Sequence, residues 1–81
     1  MKKKITMKAL VDALKNDIFF TDAKTISRDA TNLTVAYKKY CIIEFSIIGD
    51  CHQFLTFSAE GFLTSTCCSH LVSIMNTLEG R

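Results

Sequence analysis

The sequence predicts an α+β domain in which two helices cover one face of an antiparallel sheet. Two observations lead to this prediction: apolar and polar residues alternate between Leu33 and Ser58, and a helical apolar stripe stands on either side of that stretch. Two amphipathic helices and a half-buried sheet bury their apolar surfaces together when both helices lie on the same sheet face. We therefore predict two layers in the order α-β-β-β-(β)-α, with three to four strands.

The length of the chain allows one domain, residues 1–81, since there is no room for a second hydrophobic core. Apolar residues make up 48% of the sequence, which is typical of a globular protein. No stretch reaches the roughly 20 apolar residues of a membrane span. Lys8 and Asp12 interrupt the apolar region that a signal peptide would need. We therefore expect a cytoplasmic protein that does not contact a membrane.

The first helix is predicted to follow Thr6, a residue type that caps helix N-termini well. Its apolar stripe has the spacing of one helix face and comprises Met7, Leu10, Val11, Leu14 and Ile18. Asn16-Asp17 is predicted to end this helix. A short polar segment from Lys24 to Arg28 is then predicted to be an edge strand, because charged side chains discourage unwanted pairing at a sheet edge.

The central strands are predicted from odd-numbered residues, which share one face of an extended chain. The residues expected to point into the core are Leu33, Val35, Tyr37, Cys41, Ile43, Phe45 and Ile47. This run exceeds the roughly 3–10 residues of an ordinary strand. We therefore expect a bend or bulge at Lys38-Lys39 that turns both ammonium groups outward.

A hairpin is predicted at Gly49-Asp50, which has the residue types of a tight turn. A two-residue loop would pair Phe45 with Phe54, whereas a three-residue loop ending at Cys51 would pair Phe45 with Leu55. We predict the three-residue loop, because it keeps apolar side chains opposite one another on the buried face, and that face sets the register.

The second helix is predicted to begin at Ser65 or Thr66 and to end at Leu78, with Gly80 as its C-terminal stop. Its apolar stripe comprises Cys67, Leu71, Ile74, Met75 and Leu78. Residues 62–64, just before this helix, are predicted to form an additional short strand.

Charge is unevenly distributed along the chain. Residues 1–40 carry nine basic and four acidic side chains, a net charge of +5, whereas residues 41–81 carry one basic and four acidic side chains, a net charge of −3. A basic half of this kind favours binding to nucleic acid or to an acidic partner. The residues assigned to such a surface are Lys2, Lys3, Lys4, Lys24, Arg28, Tyr37, Lys38, Lys39 and Tyr40.

The segment Tyr37-Lys38-Lys39-Tyr40 places a basic pair between two aromatic residues. Lysines contact phosphates and tyrosines stack on bases, which is the combination that binders of single-stranded nucleic acid use. The alternative is that the lysines form a solvated rim with no ligand.

The second face of the sheet is more apolar than a solvent-facing surface should be. It includes Tyr40, Ile42, Ile48 and Phe54 at even-numbered positions. Contiguous exposed apolar surface usually marks an interaction site, so we predict a dimer or partner interface here and favour a homodimer. The alternative is a core that wraps around an irregular sheet edge.

The four cysteines are expected to be free thiols, as is usual in the cytoplasm. Cys51-His52 and the 67–70 segment do not have the two- to four-residue spacing of zinc ligands, and we predict no metal or other cofactor. A cysteine near a helix N-terminus has a lowered pKa, so a redox sensor or small enzyme that uses Cys67 or Cys68 is a third hypothesis. With no motif for an oxyanion hole or substrate pocket, we predict no catalytic residues.

In its size, its Met1-Lys2-Lys3-Lys4 start, its lack of proline and its lack of active-site motifs, the chain resembles the small early accessory proteins of tailed bacteriophages. The resemblance implies binding rather than turnover, since those proteins inhibit host restriction, CRISPR or toxin–antitoxin systems and some bind RNA. The first hypothesis is therefore a homodimeric inhibitor of a host defence factor, such as a nuclease or toxin–antitoxin system. Its target would be a host protein or ribonucleoprotein, with RNA as a candidate contact. The second hypothesis is a general single-stranded nucleic-acid-binding protein.

Overall fold

The computed structural model describes residues 4–49 and 53–80, and this part of the chain forms two helices and four strands. Their bounds are α1 Met7–Lys15, β1 Lys24–Arg28, β2 Asn32–Tyr37, β3 Cys41–Ile48, β4 Phe54–Glu60 and α2 Ser65–Leu78. The strands form one antiparallel sheet in the order β1-β2-β3-β4. The predicted α+β class is therefore confirmed. Neither of these helices has the length and apolar character needed to cross a membrane.

The core lies between one face of the sheet and the two helices, as predicted. All the odd-numbered residues assigned to the core of β2 and β3 are buried, namely Leu33, Val35, Tyr37, Cys41, Ile43, Phe45 and Ile47. Side chains of both helices belong to the same buried cluster, including Leu10 and Leu14 of α1 and Cys67 and Leu71 of α2. Because the sheet is buried on one face and exposed on the other, apolar and polar residues alternate regularly along its strands.

Both helices begin at a threonine whose side chain accepts a hydrogen bond from a backbone N–H of the first turn. Thr6 accepts from Ala9 at 3.1 Å, and Thr64 accepts from Cys67 at 3.2 Å. α1 ends at Lys15, so Ile18 lies beyond the helix and is 79% exposed. The assignment of Ile18 to the apolar stripe of α1 is therefore wrong. Phe20, in the segment that follows α1, lies in the core instead and is 1% exposed.

The segment at Lys38-Lys39 is a turn between two strands, not a bend or bulge within one long strand. Tyr37 pairs with Cys41, and Lys38 takes a left-handed backbone conformation with φ at 58°. Both lysines are exposed, as predicted. The turn divides the long apolar run into β2 and β3, which gives the sheet its fourth strand. Residues 62–64, which were predicted to form an additional short strand, form none.

The register of the β3–β4 hairpin differs from the predicted one by two residues. Phe45 pairs with Phe57 rather than Leu55, and residues 49–53 connect the strands in place of a three-residue loop. A two-residue shift keeps the same side chains on the buried face, so the inward parity is unaffected. The observed register brings the rings of Phe45 and Phe57 to 6.2 Å. Residues 50–52, which include most of the predicted turn, lie outside the described residues.

Candidate nucleic-acid interface

The β2–β3 turn, residues 38–40, brings several predicted binding residues to one end of the sheet. Cross-strand pairing places Lys24 beside Ala36, Ala36 beside Ile42, and Ile42 beside Glu60, in one row next to the turn. We call this end of the molecule the turn surface and define it by Lys24, Lys38, Lys39 and Tyr40. All four side chains are exposed.

A groove with a volume of about 310 Å³ opens beside the turn. Its lining comprises Phe19, Asp22, Lys24, Ala36, Tyr37 and Lys38. Lys24 and Lys38 therefore face a common groove although they come from different strands of the sheet. Phe19 is half-buried there, and its ring meets the ring of His70 at 4.3 Å between centroids.

Tyr37 cannot stack on a base, because its side chain lies in the core and is only 5% exposed. Its ring packs 4.9 Å from that of Phe20, and its hydroxyl lies 3.2 Å from the sulfur of Cys67. The ammonium of Lys38 lies over the outer face of the ring, 5.3 Å from the centroid. The assignment of Tyr37 to the binding surface is therefore corrected. Its odd-numbered position in β2 turns the side chain into the core, and its ring contacts the ammonium group of Lys38.

The contact between Tyr37 and Cys67 shifts the pKa of both groups. The hydrogen bond to Cys67, together with burial, raises the pKa of the Tyr37 hydroxyl to about 12. For Cys67, burial opposes ionisation, but hydrogen bonds from Thr64 and Tyr37 and the positive charge of Lys38 outweigh it and lower the pKa of the thiol.

The buried thiols of Cys41 and Cys67 are not accessible to a substrate. Cys67 is 2% exposed, and Cys41 is 4% exposed with a pKa raised by burial. Cys68 is half-buried. A reactive cysteine combines a low pKa with access to solvent, and Cys67 has only the first property. The redox hypothesis stays a prediction, and the burial of Cys67 argues against it.

His70 bonds to a carboxylate rather than joining a metal site. Its Nδ1 lies 3.1 Å from Oδ2 of Asp17, whose other oxygen accepts a hydrogen bond from the backbone N–H of Phe19 at 2.8 Å. This pair ties α2 to the segment that follows α1. Within residues 4–49 and 53–80, no three His, Cys, Asp or Glu side chains come together as metal ligands. Cys51 and His52 lie outside the described residues.

Lys4 and Arg28, the other members of the predicted basic set that the structure describes, do not join the turn surface. Lys4 lies near the other end of the sheet, because the N–H of its neighbour Ile5 donates to Oε1 of Gln53, just before β4, at 2.7 Å. Arg28 is at the far end of β1 from Lys24, roughly 13 Å away along the strand. Lys2 and Lys3 lie outside the described residues.

The predicted apolar interface is divided into two groups. Tyr40 and Ile42, which are 82% and 38% exposed, lie at the turn, whereas Ile48 and Phe54, which are 55% and 42% exposed, pair at the opposite end. Ile42 and Ile48 are roughly 20 Å apart along β3. The polar side chains of Glu44 and Ser46 stand on the same face between them. The four residues therefore do not form one contiguous patch.

Phe62 is a surface residue that the sequence analysis did not assign to any site. It is 83% exposed and follows Gly61, whose backbone lies against the carbonyl group of Tyr40. An aromatic residue directly after a glycine, where the strand pattern breaks, is the signal that would have suggested a surface role. Phe62 is therefore an exposed aromatic residue that directly follows a backbone contact with the β2–β3 turn.

Comparison with known proteins does not assign the chain to a family. No family model matches the sequence, and comparisons with curated proteins and with solved structures gave no significant match.

Proposed function

We propose that this protein is a small cytoplasmic binding protein whose turn surface holds a single-stranded nucleic acid, with RNA as the natural ligand. The observation behind the proposal is that Lys38, Lys39 and Tyr40 are exposed together on one turn, with Lys24 across the adjoining groove. Ammonium groups contact phosphates, and an exposed phenol ring offers a stacking surface for a base. The proposed activity is binding and involves no turnover.

The charge of this region supports binding that is modest and sensitive to salt. Three lysines stand against Asp22, at the groove, and Glu60, in the same cross-strand row. Each phosphate contact with a single strand contributes about −0.7 to the slope of log K against log salt concentration. Three such contacts correspond to a slope of about −2, which is shallow compared with extended basic grooves.

The resemblance to phage accessory proteins supports an inhibitory role for this binding. We propose that the protein occupies RNA that a host defence factor uses, so that a host ribonucleoprotein, nuclease or toxin–antitoxin system is the target. Capture from host lysate on immobilised protein, with and without nuclease digestion, tests this role. A target held through RNA is released by nuclease, whereas a target held by protein contacts stays bound.

We also propose that the chain forms a homodimer through Ile48 and Phe54. These two residues pair directly across β3 and β4 and are both partly exposed. A dimer formed at this end leaves the turn surface of each chain open to RNA.

Fluorescence anisotropy with a labelled single strand of about 12 nucleotides tests the binding proposal. Lys38→Ala combined with Lys39→Ala should weaken binding and make the salt slope shallower by about 1.4. Lys8→Ala combined with Lys15→Ala is the matched control, since both side chains are exposed on α1 and the net charge changes equally. Equal weakening in the two double variants would show that binding follows net charge and does not use the turn surface.

A further inference from the structure

We infer that Phe62 and Tyr40 together form a base-stacking pair, so that the ligand of the turn surface is a strand with unpaired bases. This inference rests on the proposed function and adds a binding residue and a ligand class to it. It predicts that bases, and not only phosphates, determine the affinity of the turn surface.

The exposure of the two rings is the first observation. Phe62 is 83% exposed and Tyr40 is 82% exposed, whereas Phe20 and Phe45 are each 1% exposed. Neither ring of the pair therefore contributes much to the core. Large aromatic side chains that remain in water at a basic surface are the stacking platforms of single-strand binders.

The close approach of the backbone at Gly61 is the second observation. Gly61 has a φ of 95°, and a Cβ at this position would overlap the carbonyl oxygen of Tyr40. Only glycine permits this contact. Because Phe62 is the next residue, the contact sets the start of its side chain beside the turn that carries Tyr40.

Charge decides between a nucleic acid and a second copy of this chain as the occupant. A two-fold interface brings the same patch together from both chains, so that Lys38 and Lys39 of one copy would approach their counterparts. Like charges at such an interface oppose association. A polyanion neutralises the same lysines, and the aromatic rings accept its bases.

The small surplus of positive charge makes stacking necessary for useful affinity. Lys24, Lys38 and Lys39 exceed Asp22 and Glu60 by one charge, so phosphate contacts alone hold a strand weakly. Loss of a stacked base lowers affinity by about fivefold to 150-fold. Two aromatic rings are therefore expected to contribute more to affinity than the net charge does.

The first experiment compares a base-bearing oligonucleotide with an abasic one of the same length and charge, both by fluorescence anisotropy. Phe62→Ala and Tyr40→Ala should each weaken binding of the base-bearing strand by about fivefold or more and leave the abasic strand unchanged. Ile18→Ala is the control, because Ile18 is 79% exposed and lies in the segment after α1. It should bind both strands as the parent does.

The second experiment reports stacking directly. The chain contains no tryptophan, so Phe62→Trp introduces a single indole at an exposed position. Its fluorescence should be quenched by the base-bearing strand and remain unchanged with the abasic strand. Thermal melting of each variant confirms that the fold is intact.

The outcomes separate this inference from the proposed function. If Phe62→Ala binds the base-bearing strand as the parent does, while the variant with Lys38→Ala and Lys39→Ala is weakened, the stacking pair is wrong and the binding surface stands. If the parent binds neither strand, both are wrong. A parent dimer that Phe62→Ala converts to a monomer in light scattering would assign the pair to self-association and overturn the inference.

Discussion

The hydroxyl of Tyr37 and the sulfur of Cys67 lie 3.2 Å apart in the buried corner where β2 meets the N-terminus of α2. This contact joins the sheet to the second helix through two polar groups that are 5% and 2% exposed. A buried polar group that loses its partner costs about 1–3 kcal/mol. The pair is therefore both a structural connection and a source of pH dependence.

The stability of the protein should fall in alkaline solution because of Tyr37. Its pKa is raised from 10.0 to about 12 in the folded state, so the folded chain binds this proton more tightly than the unfolded chain does. The stabilisation is complete below pH 10 and is lost as pH rises towards about 12. Denaturant unfolding at a series of pH values should show this decrease.

Tyr37→Phe is the matched variant for this alkaline decrease, because it keeps the ring and removes the titrating group. Its free energy of unfolding should be lower near neutral pH and should fall less steeply above pH 10. Cys67 acts in the opposite direction. The pKa of Cys67 is lowered from its ordinary value of 9.0, so this thiol stabilises the fold above pH 9, and that contribution is lost as pH falls through the folded pKa. An unchanged alkaline slope in Tyr37→Phe would contradict the assignment to Tyr37.

Phe45→Ala should destabilise the protein by about 3–5 kcal/mol, because it leaves a cavity at a fully enclosed position. Phe45 is 1% exposed, and its ring lies 6.2 Å from the ring of Phe57, its partner across β3 and β4. Phe62→Ala removes the same atoms from a position that is 83% exposed and should change stability by less than about 0.5 kcal/mol. Similar losses in the two variants, measured by urea unfolding, would contradict the inward parity.

Gly61→Ala should destabilise the protein more than Gly80→Ala does. Both glycines have positive φ, at 95° and 78°, so alanine is strained by about 1–2 kcal/mol at either position. Only at Gly61 would the added Cβ also overlap backbone atoms of Tyr40. The difference between the melting temperatures of the two variants therefore reports the cost of the overlap between the added Cβ and Tyr40. Equal melting temperatures would mean that the backbone at Gly61 can move away from Tyr40 at little cost.

Asp17→Ala should cost more stability than His70→Ala. The carboxylate of Asp17 bonds to Nδ1 of His70 at 3.1 Å and also to the N–H of Phe19 at 2.8 Å, whereas His70→Ala removes only the first bond. Each lost hydrogen bond is worth about 0.5–1.5 kcal/mol, with more for a charged acceptor. Urea unfolding of both variants tests the order, and the reverse order would show that the contact of His70 with the Phe19 ring dominates.

Ile48→Glu should convert the proposed dimer to a monomer, whereas Ile42→Glu should leave it intact. Ile48 pairs with Phe54 at the end of the sheet away from the turn, and charges facing each other across a two-fold axis oppose association. Light scattering on the two variants measures the mass. A parent protein that is monomeric at high micromolar concentration would rule out the dimer, and a monomer produced only by Ile42→Glu would move the interface to the turn.

Local patterns in the sequence are enough to predict the class of the fold and the side of the sheet that is buried. Alternating residues such as Val35, Ile43 and Phe45 have one inward parity, and Thr6 before the first apolar stripe marks the start of α1. These are local patterns that depend on the periods of strand and helix. Both predictions were confirmed because burial on one face leaves little freedom in where such side chains go.

The hairpin register, the position of Phe54 beside Ile48 and the contact that precedes Phe62 depend on how the strands assemble. A shift of two residues between β3 and β4 preserves parity, so the pattern alone cannot distinguish pairing of Phe45 with Phe57 from pairing with Leu55. Parity alone places Glu44 and Ser46 between Ile42 and Ile48, but only the pairing of β3 with β4 places Phe54 beside Ile48. The proximity of Gly61 to Tyr40 joins segments about 20 residues apart in the sequence. Such a contact depends on how the strands assemble, and no local period encodes it.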